Sequence, residues 1–279
     1  MLGPNRYGKS GVRLVKLTRE AGRHHFRELT VSVALEGEFE RAHSAGDNAD
    51  VLPTDTMKNT VYALARQNAL GEIEAFATRL AGHFLRSHEA IRRARVEIVE
   101  RPWERLDVGG AADPHTFRQS GGERRLTEVT SADDGTAVAS GLEGLLVAKT
   151  SRSAFTGFFR DPYTTLQETE DRILATSVRA VWTYATANID FGPAWRGIRA
   201  TLLDTLAGHE SASVQHTLHA MGEAVLEKYG AVAEIAIRMP NKHHLLVDLS
   251  RLGLDNPDEI FVPTEEPYGL IEATLRRGA

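Results

Sequence analysis

The chain contains no cysteine. Disulfides, thiolate nucleophiles and cysteine-ligated zinc are therefore excluded. Long hydrophobic runs are also missing, and no apolar stretch approaches the roughly 20 residues of a membrane span. The start, Met1-Leu2-Gly3-Pro4-Asn5-Arg6-Tyr7, lacks the apolar core of a signal peptide. The end, Arg276-Arg277-Gly278-Ala279, is not a peroxisomal Ser-Lys-Leu address. An excess of positive charge is absent: 33 basic against 38 acidic side chains leave a formal charge of −5. That balance argues against a general nucleic-acid binder, which carries a basic face. A nucleotide loop is absent too. Gly8-Lys9-Ser10 has the ending of a phosphate-binding loop but not its upstream glycine, and a strand follows it instead of a helix. What is present is apolar mass, 42% of 279 residues, enough for one large domain or two ordinary ones. The expectation is a cytoplasmic enzyme or binding protein with no membrane or nucleic-acid partner.

Periodicity divides the chain into elements. The apolar run of Val12, Leu14 and Leu17 and the alternation Leu29, Val31, Val33, Leu35 predict two strands joined near Ala21-Gly22. Residues 41–50 read as a loop. A helix opens at Thr54-Asp55, either of which can cap it, and carries Met57, Val61 and Leu64 on one face. Ile73, Phe76, Ala77, Leu80 and Phe84 mark a second helix. Val96 with Ile98, and Leu126 with Val129, mark strands, and the polar, glycine-rich 109–122 reads as a loop. The pattern then restarts with extended runs at 138–147 and 178–184, helices through Trp195, Ile198, Leu202, Leu206 and through Val214, Leu218, Met221, Val225, and strands at 235–239 and 245–249. Two strands, two helices and two strands thus occur twice, which predicts an α+β fold of two units, 1–136 and 137–279.

Taken singly, the polar blocks have plain structural readings. Lys9, beside Gly8 ahead of a strand, reads as a solvated charge. Phe155, Gly157, Phe158 and Phe159 read as strand core. Arg172 reads as a salt-bridged surface residue. Ser211 or Ser213 can cap the helix that Val214 begins, with Gln215 beside it. The pairs His24-His25 and His243-His244 alternate faces on a strand, so neither pair can simply ligate one metal.

Together, and in order, the blocks are specific. Tyr7-Gly8-Lys9, Thr54-Asp55-Thr56-Met57-Lys58-Asn59-Thr60, the run Phe155-Thr156-Gly157-Phe158 with Arg160-Asp161-Pro162-Tyr163-Thr164-Thr165-Leu166 and Asp171-Arg172-Ile173-Leu174, Ser211-Ala212-Ser213-Val214-Gln215, and Pro240-Asn241-Lys242-His243 resemble the motifs of the urate oxidase (uricase) family, in its cofactor-free bacterial form. The likeness covers nearly the whole chain. It departs at the C-terminal address and at residues between motifs such as Thr156 and Pro162.

The resemblance implies a tunnelling fold (T-fold): tandem units of antiparallel sheet with paired helices on one face, assembling into a barrel. It implies oxidation of urate by O2 and water to 5-hydroxyisourate and hydrogen peroxide, without metal or cofactor. On this reading Phe155 stacks on urate and Arg172 grips it edgewise, while Val214 and Gln215 read its polar edge. Thr54, Lys9 and His243 form the proton relay, with Thr54 also contacting substrate. Asn241 borders the O2 or water site, and Asp55 binds through its backbone amide. The residue types suit these roles, since an aromatic ring meets a π-face, a guanidinium fork meets a planar anion, and an amide matches an imide edge. The resemblance also implies a homo-oligomer, a tetramer, whose sites lie at interfaces because Lys9, Thr54 and Asp55 come from a neighbouring subunit. Two rivals stand beside it. One is a pterin- or purine-acting T-fold enzyme of cyclohydrolase type, which usually wants a cysteine-bearing zinc site. The other is a urate-binding protein without turnover.

Overall fold

The computed structural model describes residues 2–278. Met1 and Ala279, which take part in the two targeting readings above, lie outside the described residues. The chain divides into two compact units, Met1–Gly141 with Trp182–Trp195, and Leu142–Val181 with Arg196–Ala279. Among the described residues no helix is long and apolar enough to cross a membrane.

The first unit opens with the predicted hairpin, β1 (Tyr7–Glu20) and β2 (Arg23–Gly37), turning at Ala21-Gly22. Leu29, Val31, Val33 and Leu35 of β2 are all buried, as their alternation requires. A five-residue helix, α1 (Glu40–Ser44), stands where a loop was expected. Then come α2 (Thr54–Gln67) and α3 (Ile73–Ser87). All five α3 positions named from the sequence are buried, and α3 packs on β3 (Ile91–Arg101) and β6 (Arg124–Ala132). The strand order is β1-β2-β3-β6. Between β3 and β6 the chain leaves the sheet as a small antiparallel ribbon, β4 (Trp103–Val108) and β5 (Ala111–Gln119), instead of the expected loop. Gly109 and Gly110, at φ 63° and 84°, make its two-residue turn. Both take left-handed values that a two-residue hairpin turn demands. The Gly-Gly pair was the available signal, hidden by the polarity around it.

The second unit contains the later part of β7 (Gly135–Lys149) and the earlier part of β8 (Leu174–Tyr184), most of α4 (Phe191–Gly208), α5 (Val214–Lys228) and β9 (Val232–Lys242). Here the strand order is β7-β8-β9-β12. The expected strand 245–249 is only partly present. β10 (His244–Leu246) is short and pairs with β11 (Phe261–Pro263), and the strand beside β9 is β12 (Gly269–Arg276). Leu245 and Leu246 are exposed, so their alternation reflects a ribbon and not a core strand. In each unit the third and fourth sheet strands are separated by such a ribbon.

Two local expectations are corrected. Neither Thr54 nor Asp55 caps α2: Pro53 holds the cap position with no side-chain hydrogen bond, and Thr54 is the first helical residue. Its fixed φ suits a helix edge without supplying an acceptor. Phe155 to Phe159 are not strand core either. Phe155 is half-buried in an isolated bridge, and Phe159 is 89% exposed.

Candidate active site

In the first unit the chain brings Lys9 and the start of α2 together by way of Tyr7. The Tyr7 hydroxyl accepts from the Leu52 N–H at 2.9 Å, and its ring meets Phe39 edge to face at 4.8 Å. Burial raises the Tyr7 pKa, against the smaller lowering effect of that hydrogen bond, so the phenol stays neutral. Gly8 allows the close approach of β1 to β2. A Cβ there would lie 1.9 Å from the Val33 carbonyl oxygen. The register shifts between Lys9 and Val12, with Gly11 at φ 70°. Lys9 therefore stands at a bulge, half-buried, where a strand re-aims its side chains.

The Thr-Asp-x-x-Lys-Asn-Thr motif is a helical first-turn network. Asp55 accepts from Lys58 and, at 3.0 Å, from Asn59. The Lys58 hydrogen bond and charge are the main reason the Asp55 carboxyl lies below its ordinary value, and Lys9 adds to that field. The Asp55 side chain is thus committed to its own helix. With no side chain capping α2, the first-turn N–H groups of Thr54 and Asp55 face outward at the positive end of the helix.

The second unit assembles four more residues. Segment 152–155 is stitched on both sides. Ser211 donates its N–H to the Arg152 carbonyl at 3.0 Å and accepts from the Ala154 N–H at 2.7 Å. Phe155 exchanges two backbone hydrogen bonds with Thr169, at 2.7 and 3.1 Å. The Asp171 carboxylate accepts from the Ser153 N–H at 3.0 Å. These bonds bring Phe155, Arg172 and the start of α5 into one neighbourhood. They also explain Asp171 of the Asp-Arg-Ile-Leu motif as a support.

The Arg172 guanidinium lies 5.0 Å from the Phe155 ring centroid. It is half-buried, burial lowers its pKa, and among the described residues it has no ion pair and no hydrogen bond. The surface-salt-bridge reading of Arg172 is thereby corrected. It borders a cleft with Thr169, Ile173, His244 and Phe261. At the head of α5, Ser213 caps the helix by accepting from the His216 N–H at 3.1 Å. Val214, buried, and Gln215, exposed, are the next two residues, so the Val214 backbone and the Gln215 amide sit at a second helix N-terminus.

Asn241 lies on β9 opposite Gly269, and His243 falls at the break between β9 and β10, its carbonyl accepting from the Thr264 N–H at 2.9 Å. Both are half-buried. Among the described residues no hydrogen bond or ring contact joins either of them to Phe155, Arg172, Val214 or Gln215. It is His244, not His243, that borders the Arg172 cleft. No group of three or more His, Cys, Asp or Glu able to hold a metal occurs among the described residues.

The residues named from the sequence are therefore split between the two units: Lys9, Thr54 and Asp55 in the first, and Phe155, Arg172, Val214, Gln215, Asn241 and His243 in the second. The sequence reading gave Phe158 and Arg160 no contact with Phe155, whereas the Phe158 ring lies on Phe155 and Arg160 lies over Phe158, because an aromatic run before a loop reads as strand core.

Comparison with known proteins bears on this arrangement. A family profile described as Uricase matches residues 5–130 and 138–272. A uricase of Arthrobacter globiformis is 45% identical over 277 residues, spanning 99% of this chain and 90% of the relative. A uricase of Danio rerio is 39% identical over 277 residues, spanning 97% and 93%. The crystal structure of the Arthrobacter globiformis uricase superposes with a TM-score of 0.94 at 45% identity, covering 99% of this chain and 95% of that one. Matched along nearly its whole length in sequence and in fold, with the motif-bearing segments inside the match, the chain belongs to the uricase family.

Proposed function

We propose that the chain is a urate oxidase that converts urate, O2 and water to 5-hydroxyisourate and hydrogen peroxide. The observation that carries the site assignment is Arg172: a half-buried guanidinium with no anionic partner among the described residues, set beside an aromatic ring. A partly desolvated cation without a counter-ion is unfavourable, and a planar anionic substrate supplies one. Phe155 stacks on the urate ring, Arg172 forks onto one edge, and the Val214 N–H with the Gln215 amide reads another. Asn241 holds O2 or water.

Lys9, Thr54 and His243 move protons, and the Asp55 N–H, open at the start of α2, binds substrate. Urate is electron-rich once deprotonated and reduces O2 itself. The protein binds, aligns and deprotonates it, with no metal or cofactor required.

Following the family resemblance, the same proposal takes Lys9, Thr54 and Asp55 from a neighbouring protomer in a homotetramer. Exposed apolar side chains support it, among them Phe159 and Tyr163 at 89% and Leu252 at 72%. So do β1 and β12, each paired on one side alone. The tandem T-fold division at 136/137, closing into a barrel on assembly, belongs to this proposal, and the repeated element order supports it.

The test is loss of urate absorbance with stoichiometric peroxide release in buffer containing chelator. Turnover that disappears on chelation and returns with zinc or copper would overturn the cofactor-free reading. Urate binding without peroxide would overturn the oxidase reading.

A further inference from the structure

The segment from Phe155 to Arg172 gathers two stacked rings, Phe155 and Phe158, with a guanidinium beside each. The Phe155 and Phe158 rings lie 4.9 Å apart at an interplanar angle of 13°. Arg172 lies 5.0 Å from the Phe155 centroid, and Arg160 lies 4.8 Å from the Phe158 centroid. Offset-parallel packing of this kind is a preferred aromatic geometry, and a guanidinium near a ring face adds to it.

The Phe158 end of the stack is held by its own loop. Gly157, at φ 67°, turns the chain between the two phenylalanines and donates its N–H to Glu168 at 3.2 Å. Arg160 donates to the Leu166 carbonyl at 3.2 Å and faces the Glu168 carboxylate at 3.9 Å. Asp161 accepts from the Tyr163 N–H and the Thr164 hydroxyl at 2.9 and 2.8 Å. The backbone of Phe155 is fixed by its exchange with Thr169. What that exchange leaves free is the side-chain torsion, and the plane of the ring with it. A stacking surface works only when its plane matches that of the ligand.

We propose that Phe158 is a positioning residue for the urate reaction: stacked on Phe155 and clamped by Arg160, it sets the plane of the Phe155 ring on which urate lies. The inference rests on the reading that Phe155 stacks on urate. Phe158 does not itself touch the substrate. It acts on affinity through Phe155, and Phe158→Leu removes the flat partner while keeping an apolar group in the loop.

The test is urate binding to the intact oligomer without O2, so that no turnover occurs, together with steady-state kinetics in air. In Phe158→Leu the anaerobic Kd and the KM should rise roughly two- to tenfold, the range expected for losing an aromatic pair, with kcat falling much less. Phe158→Tyr, which keeps a flat ring, should stay near the parent value. Arg160→Gln, which leaves both rings in place, should shift Kd in the same direction by less. In the Phe155→Leu background, adding Phe158→Leu should change Kd no further, because the residue through which it acts is gone. An unchanged or lowered Kd in Phe158→Leu, with Phe155→Leu clearly weakened, overturns the inference alone. So does an additive double variant. An unchanged Kd in Phe155→Leu overturns the stacking reading and this inference with it. Should Phe158→Leu fold poorly, Arg160→Gln and Phe158→Tyr decide the question in its place: a Kd unmoved by Arg160→Gln overturns the inference, and a raised one beside a parent-like Phe158→Tyr supports it.

Discussion

Arg172 illustrates how one side chain can state a site. Its charge is half-buried beside Phe155 with no internal counter-ion among the described residues, while the adjacent Asp171 is spent on the Ser153 N–H. Arg172→Lys keeps the charge and loses the planar fork. Urate affinity is expected to fall by about 2–5 kcal/mol, the cost of breaking a desolvated charged contact, with the melting temperature little changed. Calorimetry and thermal unfolding separate the two, and equal urate affinity in the variant would return Arg172 to a packing role. Lys9→Met, close in length and unable to accept a proton, should lower kcat by roughly 10²–10⁴-fold while urate still binds. Near-normal turnover would remove Lys9 from the relay.

Glu28 makes a different statement, about stability. Hydrogen bonds from Arg13 at 2.5 Å and from Trp103 at 3.0 Å hold its carboxyl below the ordinary value, against the opposing effect of burial. A depressed folded-state pKa contributes stability that is present above the unfolded value, about 4.3, and is lost as pH falls through the lower folded value. Glu28→Gln should therefore flatten the acid limb of melting temperature against pH. An unaltered limb would show that other carboxylates govern it.

At the scale of elements, the candidate residues sit where strands and helices begin or break. Thr54 and Asp55 open α2, Val214 and Gln215 open α5, Lys9 stands at a bulge of β1, and His243 at the break after β9. Such places expose backbone groups or re-aim side chains, which regular ladder positions cannot do. Two changes probe this. Gly8→Ala forces a Cβ against the Val33 carbonyl at 1.9 Å, so β1 must move away from β2 just beside Lys9. The expected result is a lower melting temperature together with a loss of kcat, and a variant with both unchanged would show that the approach is not needed. Ser213→Ala removes the cap on α5 and should cost about 0.5–2 kcal/mol in chemical denaturation. Urate affinity should weaken with it, since Val214 and Gln215 follow the cap directly.

The whole molecule raises the question of assembly. Lys9, Thr54 and Asp55 lie in one compact unit and the other candidate residues in the second, and the chain leaves Phe159, Tyr163, Leu252 and Leu254 in solvent. If sites form between protomers, mixing two inactive variants, Thr54→Ala and Arg172→Ala, after reversible dissociation should restore activity, because some interfaces then hold one intact site. Proven subunit exchange with no recovered turnover would place all these residues within one chain.

The sequence determined much of this by itself. The alternation in β2 and the spacing of Ile73, Phe76, Ala77, Leu80 and Phe84 predicted buried faces that the structure contains, because the periods of strand and helix are local properties. The ordered motifs pointed to the family that the comparisons establish. The absence of cysteine excluded thiolate chemistry outright. Other features were decided only by tertiary structure. The 109–122 loop is half a ribbon, because Gly109 and Gly110 permit a two-residue turn but the pairing of β4 with β5 is what makes it a hairpin. The later strand that joins β9 in the sheet is β12 and not residues 245–249, because strand pairing is a contact between distant segments that alternation cannot select. Phe155 left the core for a bridge with Thr169, where Phe158 and Arg172 meet its ring. A run of phenylalanines carries its hydrophobicity in the sequence, but which face meets which neighbour depends on segments far along the chain, and that pairing exists only after folding.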